Sequence, residues 1–343
     1  MTAFQVSHLR VALVPDVMPP APAAHDAPGR VRIFGGVLHT DRSLPGLPVA
    51  PIAGDGQFPF WTLHTSRTDT APAHSSGASV VGQQAYSSGP VVSLAEGAEG
   101  PEIVVSDTGR FTIDLERHSI SHLAPRGVDR GAVALDLIGM VLPFAFHLEG
   151  AWCVHASAVL SDAGVIAFVA ARGTGKSTLA AACLQAGCAL VADDVLVLRE
   201  RDGVVTVTPS GLPLRLRADT ARTVGADTST TDAWGKVRVE ADLWQQELPL
   251  AAIYLLTASP PDATVKREMR STRASALALL SHGKITELLG AAGAGIALAR
   301  CVTLAGTSRV YDLVVPRDLI RLTSVVQSLR DWHSAAPLDS ISA

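Results

Sequence analysis

Cysteine is scarce in this chain, and its spacing builds nothing. Cys153, Cys183, Cys188 and Cys301 are the only four in 343 residues, and no two form a C-x-x-C pair. In a chain of this size they read as reduced, mostly buried thiols of the cytosol, not as a disulfide framework. A basic excess is also missing: 28 Lys and Arg stand against 32 Asp and Glu, a net charge of −4. Nucleic acid is therefore not expected as the main partner. Long apolar runs are absent too. The most apolar stretch, residues 131–152, is interrupted by Asp136, Pro143, His147 and Glu149, and falls short of the ~18 unbroken apolar residues of a membrane span. It reads as a buried helix leading into a strand. The first twenty residues lack an apolar h-region and carry His8 and Arg10 within their apolar pattern, so no signal peptide is expected. No internal repeat stands out. What remains is a soluble, cytoplasmic chain, 48% apolar, with length for two domains.

The two domains differ in texture. Residues 1–127 alternate short apolar runs (4–14, 31–38, 58–64) with Pro-, Gly- and Ala-rich connectors (19–29, 71–77). Residues 102–106 and 110–115, joined by Asp107-Thr108-Gly109, read as a β-hairpin. This is expected to be a smaller, β-rich N-terminal domain. Its scattered histidines, His25, His39, His64, His74, His118 and His122, form no catalytic pattern and read as surface or core residues. Residues 128–332 form the second domain. Its pattern predicts a helix over 128–147, a strand over 151–160 with His155 in its middle, and a tight turn into a strand over 165–169. Strands follow near 188–192, 195–199, 204–208, 212–216, 236–239, 250–256, 265–269 and 310–315. Helices are expected at 219–224 with Asp219 as a cap, at 271–280 and 285–299, and at 317–331 with Pro316 at N1. Residues 225–235 read as a mobile loop, and 333–343 as a flexible tail.

The second domain carries the chemistry. Its apolar strand runs into Ala170-Ala171-Arg172-Gly173-Thr174-Gly175-Lys176-Ser177, and a helix follows from Thr178 to Gly187. Glycines in such a loop let backbone N–H groups turn inward onto an anion. The helix N-terminus adds roughly half a positive charge. Lys176 is placed to reach the β- and γ-phosphates, and the Ser177 hydroxyl to ligate Mg²⁺. The first glycine of the usual G-x-x-x-x-G-K-[ST] pattern is Ala170 here, which is tolerable if that residue keeps β-region angles. A Gly-rich turn that binds nothing is the alternative.

Phosphoryl transfer needs the phosphates and metal held, charge neutralised, and a base at the acceptor oxygen. The next apolar run ends in Asp193-Asp194, where a Walker-B carboxylate would sit. One acid can serve the metal and the other accept a proton; the alternative for either is a turn former. The hairpin geometry brings His155 toward the same end of the sheet, though a lone histidine in an apolar strand is commonly a core residue.

Together, His155, the loop from Ala171 to Ser177 and Ala192-Asp193-Asp194-Val195 resemble the catalytic domain of the bacterial HPr serine kinase/phosphorylase. From about residue 135 to 332 the chain is more similar to the divergent HPr-kinase-like serine kinases, some of which phosphorylate lasso-peptide precursors. The resemblance implies a P-loop α/β catalytic domain with a mixed sheet and flanking helices. It implies ATP and Mg²⁺ as cofactors, with Arg172, Gly173, Thr174, Gly175, Lys176, Ser177, Thr178 and Lys236 on the nucleotide. By position, Asp193 would be the base, Asp194 with Ser177 would hold Mg²⁺, and His155 would lie beside the transferred phosphate. Lys236 and Arg238 would reach the nucleotide or acceptor phosphate, and a plain surface pair is the alternative for both. Two departures stand. The family's Glu-Val-Arg-Gly-like segment is replaced by Pro213-Leu214-Arg215-Leu216-Arg217, and a Gly-Arg-Asn motif is missing. Both put reverse phosphorolysis and HPr as substrate in doubt.

The expected activity is therefore transfer of a γ-phosphoryl group to a hydroxyl, serine of a protein or peptide first among them. No membrane or nucleic-acid partner is expected, and a homo-oligomer is left open. A small-molecule kinase and a nucleotide-binding regulator without transfer are the rival readings.

Overall fold

The computed structural model describes residues 28–49, 60–85, 89–224, 231–232, 235–239 and 241–334. The apolar run 4–14, nearly all of the 19–29 connector, most of the 225–235 loop and the tail beyond Ser334 lie outside the described residues.

The first sheet comprises β1 (Gly29–Ile33), β2 (Gly36–Thr40), β3 (Trp61–Thr68), β4 (Ser79–Ala85), β5 (Val91–Gly97), β6 (Gly100–Val105), β7 (Gly109–Asp114) and β8 (Ser119–Pro125). Their spatial order is β1-β2-β3-β8-β7-β6-β5-β4. Alternation makes these strands: in β7, Phe111 and Ile113 are buried while Arg110, Thr112 and Asp114 are less so. The expected hairpin is β6–β7. His122 is buried, stacked on Phe111 at 4.3 Å, with Nε2 2.9 Å from the Thr108 carbonyl. His74 bridges Ser93 and Glu102.

One helix joins the two sheets. It runs through α1 (Arg130–Asp136), a π-type turn (Leu137–Val141) and α2 (Leu142–Leu148). Asp129 caps it by accepting from the Gly131 N–H. Pro143 lacks an N–H and would clash in an unbroken α-helix; the π turn just before it, closed by the Leu142 N–H on the Leu137 carbonyl, makes room. Arg130–Leu148 has the length and apolarity of a membrane span, but 78% of that window is buried inside the protein. It is a core helix, and its side chains share one hydrophobic cluster with both sheets.

The second sheet contains β9 (Trp152–Val154), β10 (Ala156–Ser161), β11 (Gly164–Val169), β12 (Leu190–Ala192), β13 (Leu196–Arg201) and β14 (Val204–Thr208). A small ribbon of β15 (Leu214–Leu216) and β16 (Val237–Val239) lies apart from it. The long β17 (Leu248–Ser259) runs parallel to β11, and β18 (Lys266–Met269) and β19 (Val310–Pro316) complete the sheet. The sheet is mixed and helix-flanked, as expected of this half of the chain. Its helices are α3 (Lys176–Gln185), α4 (Ala218–Thr223), α5 (Thr272–Ser281), α6 (Gly290–Thr307) and α7 (Leu322–His333). Trp152 is fully buried and its indole donates to the Leu279 carbonyl. Burial of a large side chain of this kind contributes roughly 1.5–3 kcal/mol.

Several boundaries differ from expectation. Strand 151–160 breaks at His155. Helix α3 starts at Lys176, two residues early, because Gly175 (φ +106) supplies its left-handed N-cap. Asp219 lies inside α4, whose N-cap is Arg217. The helix expected at 285–299 is a 3₁₀ turn (Thr286–Leu288) and then α6, which continues to Thr307 because Ala297, Cys301, Leu304 and Ala305 extend its buried face. Pro316 ends β19 rather than starting α7. Beyond Lys266↔Val314 the strand has no partner on the β18 side, and a residue without an N–H fits there.

Candidate functional site

The site is built where two strands bend together. β9 pairs with β13 through Val154↔Leu196, and β10 pairs with β12 through Ala158↔Ala192. The two chains thus run antiparallel past one another, and each is interrupted at the same level. One interruption is His155; the other is Asp193-Asp194, where Asp194 adopts a left-handed conformation (φ +69). Asp is one of the few side chains that tolerates that region. The glycine-rich loop leaves the adjacent β11 beside this bend, since Val169 pairs with Ala156.

Within the loop, Gly173 (φ +82) and Gly175 (φ +106) hold the left-handed angles that a phosphate cradle requires. Arg172 and Gly173 form its exposed tip, and Thr178 lies half-buried in the first turn of α3. Lys176 is 6% exposed. Its Nζ donates to the carbonyls of Ala170 (2.9 Å) and Ala171 (3.3 Å). Burial pushes its pKa down to about 8, against the pull of Asp194 and Asp193; the charges of Lys236 and Lys284 push it further down. Lys236, expected on the nucleotide, therefore bears electrostatically on the loop lysine.

The two acids have opposite surroundings. Asp193 is 4% exposed. Its Oδ1 accepts from Ser157 Oγ at 2.6 Å and from Ser177 Oγ at 2.9 Å, and its Oδ2 accepts from the Arg215 backbone N–H at 3.0 Å. Asp194 faces cations instead. Lys284 Nζ donates to its Oδ2 at 3.2 Å, and an Arg215 guanidinium nitrogen lies 3.9 Å away. His155 Nδ1 is 3.0 Å from Asp194 Oδ1 and 3.2 Å from the Asp194 carbonyl. Both neighbours are acceptors, so Nδ1 carries a proton. Burial opposes ionisation of Asp194, but Lys284, His155 and Arg215 together hold its pKa well below the ordinary carboxylate range.

Ser157, Arg215 and Lys284 were missed in sequence. β10 lies between β11 and β12, so the acids sit one strand away from the loop and Ser157 fills the gap, 3.4 Å from Ser177. Its place two residues after His155, on a strand of period two, was the signal available. Arg215 is aimed by Asp232, which accepts from its Nε at 2.6 Å. Lys284 arrives on a segment that docks on the strand bend through His155 N–H to His282 O and Lys284 N–H to Cys153 O. No local pattern marks either.

Among the described residues no three His, Cys, Asp or Glu converge, so a metal held by side chains alone is not offered. A Mg²⁺ shared with phosphates needs only one or two hard oxygen ligands from the protein. Ser177 Oγ and Asp193 Oδ1, side by side at the mouth of the loop, are such a pair.

No family model matches the sequence, and no curated protein matches it. Among solved structures the chain is similar to the HPr(Ser) kinase/phosphatase from Coxiella burnetii, with 14% identity and a TM-score of 0.29 over 53% of this chain and 99% of that one. A likeness of this size assigns neither substrate nor mechanism.

Proposed function

We propose that this chain is an ATP- and Mg²⁺-dependent kinase that phosphorylates a hydroxyl, in the first place serine of a protein or peptide such as a ribosomally made precursor peptide. One observation carries the reading: a phosphate loop, a hydroxyl–carboxylate pair and a second, cation-ringed carboxylate form one connected group. A pure nucleotide sensor has no use for that second acid. Bound Mg²⁺·ATP would supply the phosphoryl group and neutralise its charge.

The chain's own residues divide the remaining work. The loop N–H groups and Lys176 hold the phosphates, once Lys176 exchanges its loop carbonyls for phosphate oxygens. Ser177 and Asp193 take the metal side. Asp194 receives the acceptor's proton while His155 and Lys284 keep its carboxylate oriented. This exchanges the roles that position along the sequence assigns to the two acids, and the hydrogen bond from Ser177 to Asp193 is the reason.

The test is transfer of label from γ-labelled ATP to serine peptides in the presence of Mg²⁺. Asp194→Asn is expected to lower transfer by about 10²–10⁴ with Mg²⁺·ATP affinity kept, and Asp193→Asn to weaken Mg²⁺-dependent nucleotide binding. Label on a metabolite but on no peptide would replace the acceptor. Full transfer by Asp194→Asn would sink the assignment of the base.

A further inference from the structure

We infer that the cleft between the two sheets is a second binding site, which takes an aromatic ring carrying a negative charge. The cleft measures about 740 Å³, and none of its lining residues belongs to the phosphate loop or the acid pair. That volume suits a small organic ligand, and junctions between structural units are where such sites concentrate.

Its walls come from both halves of the chain. The apolar wall is aromatic: Phe146 of α2 stacks on Phe60 at 6.2 Å and meets Phe34 edge-on at 5.3 Å. The opposite wall is cationic. On β13, Val197, Arg199 and Arg201 share one face by strand alternation, and all three line the cleft. Arg199 lies over the Phe146 ring at 5.9 Å and is held by Glu149 at 3.1 Å. His118 reaches the same Glu149 at 3.4 Å. Glu247 is occupied by the Thr206 hydroxyl at 2.6 Å. Both lining acids are thus engaged within the protein, whereas Arg201 is exposed and makes no ion pair with any described residue. Phe146 and Phe34 are buried behind Phe60, which is only half-buried, so a ring against Phe60 with its charge toward Arg199 and Arg201 matches this lining.

Backbone conformation supports a built site. Four described non-glycine residues have positive φ: Phe34, His118, Asp194 and Asp202. Asp194 is beside the glycine-rich loop, and the other three are in hairpin turns, of which those of Phe34 (β1–β2) and His118 (β7–β8) line this cleft. Phe34 and Gly35 (φ +48 and +73) form the two-residue β1–β2 turn, a geometry that favours Asn-Gly. A phenylalanine there is a conformational outlier, and such outliers gather at ligand sites.

Two dyes with one ring system test the proposal on the whole chain: anionic 1-anilinonaphthalene-8-sulfonate and neutral N-phenyl-1-naphthylamine. The sulfonate is expected to bind at one saturable site, at least about tenfold tighter than the neutral dye. Arg201→Glu, at an exposed position that leaves folding intact, should remove most of that preference and leave the neutral dye unchanged. Equal affinity for both dyes, or an unchanged preference in Arg201→Glu, would overturn it. So would displacement of the sulfonate by Mg²⁺·ATP, which would put the dye in the phosphate loop. Displacement by phenylacetate marks a free aryl acid as the natural source of the chemistry, and displacement by acetyl-Phe-Glu-amide marks a peptide segment. Displacement by neither overturns the assignment.

Discussion

The two sheets both bury polar groups, but they close them differently. At the first sheet two buried acids, Glu102 on β6 and Asp136 on the helix packed beside it, are answered within the fold. Glu102 accepts from the Ser75 N–H and His74, and Asp136 accepts from the Thr108 hydroxyl. In the second, Lys176 leans on two loop carbonyls that a phosphate could replace, and Ser177 shares Asp193 with Ser157. Buried polarity is therefore not by itself a sign of a site. What distinguishes the second sheet is that Ser157, Asp193 and Ser177 join at one place, beside a glycine-rich loop and the start of α3.

The largest expected break in this comparison is Lys176→Ala. It should lower ATP affinity on the order of a hundredfold, as loss of charge-assisted bonds does, read by calorimetry. In the unchanged chain the affinity should fall as pH rises past about 8, where Lys176 sheds its proton. Unchanged affinity in the variant would count against the phosphate loop.

A smaller effect belongs to the first sheet's interface with the core helix. Burial raises Asp136 to about 6. Between about pH 4 and pH 6 the folded chain keeps a proton that the unfolded chain releases, so stability falls as pH rises through that window, by on the order of 3 kcal/mol. Urea denaturation of Asp136→Asn should lose that slope. If the slope persists, the proton belongs to another group.

The smallest is Glu102→Gln. It should cost about 1–2 kcal/mol of stability and leave phosphoryl transfer untouched. A loss of transfer at unchanged stability would tie the first sheet to catalysis and dissolve the contrast.

Much of this was legible in the residues. Alternation predicted β6–β7 and the β10–β11 hairpin, and it predicted the strands on either side of the turn between β13 and β14, where Asp202 and Gly203 take positive φ values (+53 and +79) that suit a primed hairpin turn. The π turn was not legible, because Pro143 marks an interruption of the helix but not the way the preceding turn widens to accommodate it. Ser157 had only its alternation with His155. Arg215 and Lys284 had nothing local at all.

The sequence by itself determined the glycine-rich loop, the acid pair and the histidine before them. Glycine angles, a helix start and strand ends are set by residues a few positions apart. Only the tertiary structure decided which acid meets Ser177 and which meets His155 and Lys284. That choice depends on β10 lying between β11 and β12, and on two chains bending at one level. Sheet order is a long-range packing outcome, settled by which buried faces fit together, and no short stretch of sequence encodes it.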